Sequence, residues 1–163
     1  MQHIQLLISL SILLPLLACL SNIILHRREN FRDALTFIIS LITFALVVRV
    51  CLEFMKGNTA HLKLFSIMPG LDIAFEVEPL GLLFALIASG LWIITHIYAI
   101  GYMRGNNEKH HARFFACFSL AIGTTLGLAF SKNLFTLFLF YELLTISTFP
   151  LVAHKGTAEA LKG

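Results

Sequence analysis

The chain has 163 residues, 58% of them hydrophobic and 13% charged, with a mean hydropathy of +0.84. Charge stands far below the roughly 25% typical of soluble domains, which excludes that class and indicates an integral membrane protein. The formal charge of +3 does not mark a nucleic-acid binder; the basic residues bear on topology instead.

The first apolar segment covers 4–25, long enough to span a bilayer. Pro15 lies inside it, a kink that neighbouring helices can accommodate by satisfying the freed carbonyl. Leu16-Leu17-Ala18-Cys19 resembles a loose lipoprotein cleavage box. The opening residues carry no Lys or Arg, however, and the apolar run continues to Leu25, so a retained helix is expected. The tract His26–Asp33, with Arg27, Arg28 and Arg32, ends the segment as a charged loop. The second segment covers 34–52. Arg49 in its last turn has Glu53 four residues on, so it can pair there or snorkel to the interface.

Residues 56–77 carry Lys63, Asp72 and Glu76, too many charges for a span. Two apolar runs flank Pro69-Gly70, a natural turn, which predicts a small β-hairpin on the membrane surface. Glu76 and Glu78 precede Pro79, which suits the first turn of the next helix and complements its N-terminal dipole. That third segment covers 79–103, with Trp92 mid-span and Tyr98 and Tyr102 approaching the interface. His96 lies inside it, either as a buried histidine with a helix partner or as a member of a proton relay.

The loop 104–113 is polar, and its adjacent His110 and His111 belong to a solvated tract rather than a ligand set. The fourth segment covers 112–130 and holds Thr124, Thr125 and several small residues, which allow close helix approach and predict a buried helix. After a tight turn at 131–133, the fifth segment covers 133–153. Glu142 sits roughly 14 Å into it, near the midplane of a ~30 Å hydrocarbon layer. A charge at that depth costs about 2.5–3.5 kcal/mol or more. Glu142 is therefore either a protonated acid hydrogen-bonded within a bundle or a site on an ion or proton path. Thr145 stands one turn away near the same face, whereas Lys132 is roughly 15 Å distant along the axis and cannot reach it. A polar stretch, 154–163, follows.

The expected fold is therefore all-α: a polytopic bundle of five transmembrane helices in a single domain, with an extracytoplasmic β-hairpin between the second and third. Cys19, Cys51 and Cys117 fall in separate apolar runs with no Cys-x-x-Cys spacing, so no metal centre, disulfide framework or cofactor is expected. Arg27, Arg28, Arg32, Arg104, Lys109, Arg113, Lys155 and Lys162 fall on one side; Arg49, Lys56, Lys63 and Lys132 fall on the other. The bias places the first side in the cytoplasm, with the N-terminus and hairpin outside.

Five short runs occur in order: Phe75-Glu76-Val77-Glu78-Pro79-Leu80, Tyr98-Ala99-Ile100-Gly101-Tyr102-Met103, Arg113-Phe114-Phe115, Ser131-Lys132-Asn133-Leu134-Phe135 and Phe140-Tyr141-Glu142. Together they resemble the N-terminal part of the antiporter-like proton-translocating subunits, namely the D-type component of Mrp-type cation/proton antiporters and the large membrane subunits of respiratory complex I. The resemblance covers about 75–163. It implies a protein of about fourteen helices containing two inverted five-helix repeats, each forming a half-channel. Glu142 matches the family's fifth-helix glutamate, which faces a lysine on a broken seventh helix. This sequence contains neither that lysine nor the second repeat, so the resemblance implies a channel completed by another chain. Tyr141 stands where many relatives have tryptophan.

The leading expectation is part of a proton/monovalent cation antiporter subunit, with Glu142 as proton site and His96, Thr145, Thr124 and Thr125 along the path. Its partners would be other membrane subunits, the chain supplying the missing half, and the lipid bilayer, with no nucleic acid. The rival is a non-conducting structural or assembly module. A third reading is a membrane subunit of an NADH:quinone oxidoreductase, in which electron chemistry belongs to other subunits because nothing here binds flavin, nicotinamide or iron–sulfur.

Overall fold

A computed structural model describes residues 2–58, 61–68, 71–106 and 111–152. Helices α1 (Gln2–Ile24) and α2 (Glu29–Met55) precede a hairpin of β1 (His61–Met68) and β2 (Leu71–Glu76). Helices α3 (Pro79–Gly105), α4 (His111–Ala129) and α5 (Leu134–Val152) follow. All five helices are long and apolar enough to cross a membrane. The chain is thus a multi-pass membrane protein. The Pro69-Gly70 turn, Lys109 and His110 in the third loop, and residues 153–163 with Lys155 and Lys162 lie outside the described residues.

Helix α2 begins at Glu29, so the charged tract is not all loop. Glu29 places an acid in its first turn, favourable to the helix dipole. Arg32 and Asp33 then sit inside the helix and are buried, where a solvated loop was expected. At the other end of α2, Glu53 hydrogen-bonds Lys56 (2.7 Å) and Asn58 (2.9 Å), and Arg49 stays exposed. The nearer lysine, one turn on, replaces the expected Arg49 partner. Helix α3 starts as anticipated: Pro79 takes the first helical position after an extended Glu78 (φ −113°, ψ 152°).

The hairpin is docked into the bundle rather than resting beside it. Strand β2 pairs antiparallel with β1, Leu62 opposite Phe75 and Ser66 opposite Asp72. Its other edge, which would otherwise expose unpaired backbone groups, is taken by the α4–α5 turn. The Glu76 N–H donates to the Phe130 carbonyl (2.8 Å) and the Lys132 N–H to the Ala74 carbonyl (2.9 Å). Asn133 Nδ2 donates to the Asp72 carbonyl (2.8 Å), and the Ala74 N–H donates to Thr136 Oγ1 (3.1 Å). Phe75 is buried and meets Phe140 edge-on at 5.6 Å. Lys132 lies 3.5 Å from the Glu76 carboxylate, and Lys63 pairs with Asp72 at 2.7 Å. The hydrogen bond from Lys63 holds the Asp72 carboxyl below the usual aspartate range.

The apolar core gathers at this end, from Ile4, Ile8 and Ile12 of α1 through Val47 and Val50 of α2 to Leu126 and Phe130 of α4. Helix α4 is the most covered of the five, as its small residues predict. A Cβ on Gly123 would stand 2.8 Å from Leu16 Cδ2 of α1. A Cβ on Gly127 would overlap the Phe140 ring of α5.

The tightest approach is between α3 and α4, where a Cβ on Gly81 would overlap the Ala129 carbonyl oxygen. In an exposed helix, Gly→Ala gains about 1 kcal/mol. Here the obstacle is backbone, which cannot rotate away, so the sign reverses. Gly81→Ala is expected to destabilise by about 1–3 kcal/mol, the usual cost of overpacking. Gly101→Ala, with nothing within 4 Å of its Cβ position, is the matched control and should be neutral or stabilising. Thermal unfolding of both variants in the same detergent checks the pair; equal melting temperatures would show that this approach is not tight.

Candidate functional site

Two polar features occur within the helices, and they are separate. The first lies at the end of the bundle away from the hairpin. Asp33 Oδ1 accepts from Arg32 Nε (3.0 Å) and Nη2 (2.7 Å), and Oδ2 accepts from Arg104 Nη2 of α3 (2.6 Å). Arg32 is 1% exposed and also stacks over Phe115 of α4, 5.3 Å from the ring centroid. His96 is fully buried, with Nε2 3.2 Å from the Asp33 carbonyl oxygen and its ring edge-on to Phe115 at 5.1 Å. A neutral branch continues from the same level. Thr36 Oγ1 donates to Asn22 Oδ1 (3.1 Å), and Asn22 Nδ2 donates to Ser119 Oγ (3.3 Å) and to the Ala18 carbonyl (2.8 Å). Four helices thus share one network in which two guanidiniums meet one carboxylate.

The second feature is Glu142. It is exposed, on the least covered helix, in a shallow apolar groove with Phe135, Phe138, Leu139, Leu143 and Ile146. It has no hydrogen-bond or ion-pair partner among the described residues. An unpartnered carboxylate cannot rest against lipid tails at low cost, so this face of α5 requires a cover from outside the described residues.

The expected path residues are therefore not one constellation. His96 belongs to the charged network, apart from the α5 groove that holds Glu142. Thr145 shares α5 with Glu142 and is exposed, its Oγ1 donating to the Tyr141 carbonyl (3.0 Å). Thr124 is buried and turned back on α4, donating to the Leu120 and Ala121 carbonyls (3.0 and 2.9 Å). Thr125 is half-buried on the same helix. Lys132 is engaged with Glu76 and with His61 Nδ1 (3.1 Å). Sequence reasoning missed Asn22, Arg32, Asp33 and Arg104 because each borders a charged tract. The available signal was the polar series Asp33, Thr36, Ser40, Thr43, which keeps helical spacing into the apolar run. Among the described residues no three of His, Cys, Asp and Glu come together as a metal-binding group.

Comparison with known proteins agrees with this architecture. A family model described as NADH-Ubiquinone oxidoreductase (complex I), chain 5 N-terminus, matches residues 67–115. A protein of Staphylococcus aureus (strain bovine RF122 / ET3-1) named Na(+)/H(+) antiporter subunit A1 is 30% identical over 158 residues, 94% of this chain and 19% of its own length. The subunit A1 of S. aureus strain JH9 shows the same identity and coverage. The chain therefore spans about a fifth of the length of these curated relatives, and they carry the name of subunit A1 where the sequence pointed to the D-type component. Among solved structures, a chain of the membrane-bound sulfane sulfur reductase (MBS), an archaeal respiratory membrane complex, matches with a TM-score of 0.73 at 17% identity. The match covers 88% of this chain and 22% of that one, and shows a shared fold. This chain corresponds to the N-terminal part of the antiporter-like membrane subunit family of Na(+)/H(+) antiporters and complex I.

Proposed function

We propose that the chain forms one wall of a proton half-channel in a cation/proton antiporter-like membrane subunit, with Glu142 as the proton-carrying group. The observation that carries this reading is the position of Glu142: a carboxylate deep in the apolar α5, on an uncovered face, without a partner among the described residues. A covering helix that brings a cation would hold it ionised, and removal of that cation would let burial favour the protonated form. Such a pair moves a proton when its separation changes. Thr145, one turn away, would help to hydrate the same face. The partners are then other membrane subunits of a multisubunit antiporter or complex I-like assembly, including the chain that supplies the cation. The deciding experiment is proton flux through the assembled complex carrying Glu142→Gln. Loss of flux with assembly intact supports the reading, and full flux overturns it.

The rival reading, a non-conducting assembly module, is favoured by the charged network around Asp33, which holds four helices together without any link to Glu142.

We further infer a plasma-membrane location with the N-terminus and hairpin outside. Among the described residues, Arg27, Arg28, Arg32, Arg104 and Arg113 lie at the end away from the hairpin, and Arg49, Lys56, Lys63 and Lys132 lie at the hairpin end. The excess of arginine at the first end marks it as cytoplasmic. Gly105 is exposed there, and a Cβ at this position meets nothing within 4 Å. In a background lacking the three native cysteines, Gly105→Cys should react with a membrane-impermeant thiol reagent only from the cytoplasmic side. Labelling from outside on intact cells would reverse the topology.

A further inference from the structure

The facing surfaces of α2 and α3 carry a polar seam distinct from the Glu142 groove. On α2 the buried polar side chains Thr36, Ser40 and Thr43 follow one another at helical spacing, and on α3 Ser89, Trp92 and His96 do the same. The contact between His96 and the Asp33 carbonyl sets the register of the two helices, which run in opposite directions. Ser40 and Ser89 each lie roughly 10 Å along the axis from that contact, so they stand at the same depth. Trp92 lies roughly 6 Å from it and Thr43 roughly 15 Å, above and below the serine pair. Gly90 opens the packing at the same level, the Phe44 ring being 3.3 Å from where its Cβ would stand.

Three polar atoms along this seam are buried and lack a hydrogen-bond partner among the described residues: Thr43 Oγ1, Trp92 Nε1 and His96 Nδ1. Each such orphan costs about 1–3 kcal/mol, and a membrane core supplies no solvent to relieve it. One unpaired group in a fold is tolerable; three on one seam, with serine hydroxyls between them, require a common partner. Ser40 and Ser89 donate to the Phe37 and Ala85 carbonyls and keep oxygen lone pairs free to accept. An internal water makes about three hydrogen bonds to groups of this kind. We propose that the α2–α3 seam holds a file of internal water running from the level of Thr43 past Trp92 to His96. The file gives this chain a water-connected, protonatable site of its own. It joins the charged end of the bundle through His96 and Asp33 and does not depend on Glu142 or on a covering helix.

Trp92 is the one tryptophan of the chain and reports on the seam directly. Its emission is measured for the full chain in lipid nanodiscs, in H2O and D2O buffers and with acrylamide. A hydrated seam gives emission at longer wavelength than a dry apolar core and a higher yield in D2O. Acrylamide should quench it little, because the side chain is 1% exposed and the quencher is larger than water. Thr43→Val removes one partner of the water at nearly constant volume, and should shift the emission to shorter wavelength and reduce the D2O gain. Thr43→Ser keeps the hydroxyl and should behave as the parent. Short-wavelength emission without a D2O gain in the unchanged chain overturns the proposal, as does a gain that Thr43→Val leaves intact. Strong acrylamide quenching also overturns it, since Trp92 would then face bulk solvent.

Discussion

Glu142→Gln is expected to lower proton flux through the assembled complex by on the order of 10²-fold, the low end of what loss of a proton-transfer group costs. The substitution is nearly isosteric. A protonated carboxyl and an amide can both donate and accept a hydrogen bond, so the packing of α5 should survive. What disappears is the ability to lose and regain a proton. Glu142→Asp keeps the titration but withdraws the carboxyl by one methylene, and should retain part of the flux. Glu142 touches no polar group among the described residues, so neither variant disturbs the five-helix bundle itself. Any loss of assembly would therefore come from the covering chain, and a pull-down of the complex scores it separately. If Glu142 were only a structural acid, glutamine would be almost silent. Full flux in a correctly assembled Glu142→Gln complex removes the proton-site assignment and leaves the scaffold reading in its place.

Asp33→Ala is expected to be the most destabilising single change in the bundle. It leaves Arg32, 1% exposed, without its carboxylate, and also frees Arg104. Removing one partner of a buried ion pair costs about 3–5 kcal/mol, because the remaining charge stays desolvated. Against a total stability of about 5–15 kcal/mol this is a large fraction. Arg104→Ala should cost much less, since its side chain is 43% exposed and Asp33 keeps Arg32. Arg32→Met combined with Asp33→Ala should recover much of the loss, because an apolar replacement of a buried pair is often close to neutral. Thermal unfolding of the three variants in one detergent checks the order. An Asp33→Ala melting temperature equal to that of Arg104→Ala would show that Arg32 is not held in a dry environment.

Much of this fold is legible in the sequence because the bilayer imposes a simple rule: a span needs a long apolar run, and each interruption marks an end. Five runs therefore give five helices, Pro79 after two acids gives a helix start, and the charges of 56–77 give a non-spanning hairpin. The small residues of the fourth segment likewise announce a covered helix, since they have little else to offer a neighbour. The depth of Glu142 is also legible, because axial rise follows from counting residues.

Direction around a helix axis and contact across helices are not legible in the same way. Helix α5 is apolar on every side, so its sequence carries no preference that would turn Glu142 inward or outward. Tertiary packing decided it: Gly127 of α4 receives Phe140, and that contact leaves Glu142 on the open face. The fate of Arg32 and Asp33 was likewise undecidable from a tract that reads as solvated loop, because their burial depends on Arg104, some seventy residues away in the chain. Docking of the hairpin rests on backbone hydrogen bonds between β2 and the α4–α5 turn, which side-chain identity does not encode. The sequence by itself determined how many times the chain crosses and what it carries at each depth. Only the tertiary structure decided which polar groups meet, because a meeting depends on rotation and register between helices, and hydrophobicity along one helix is blind to both.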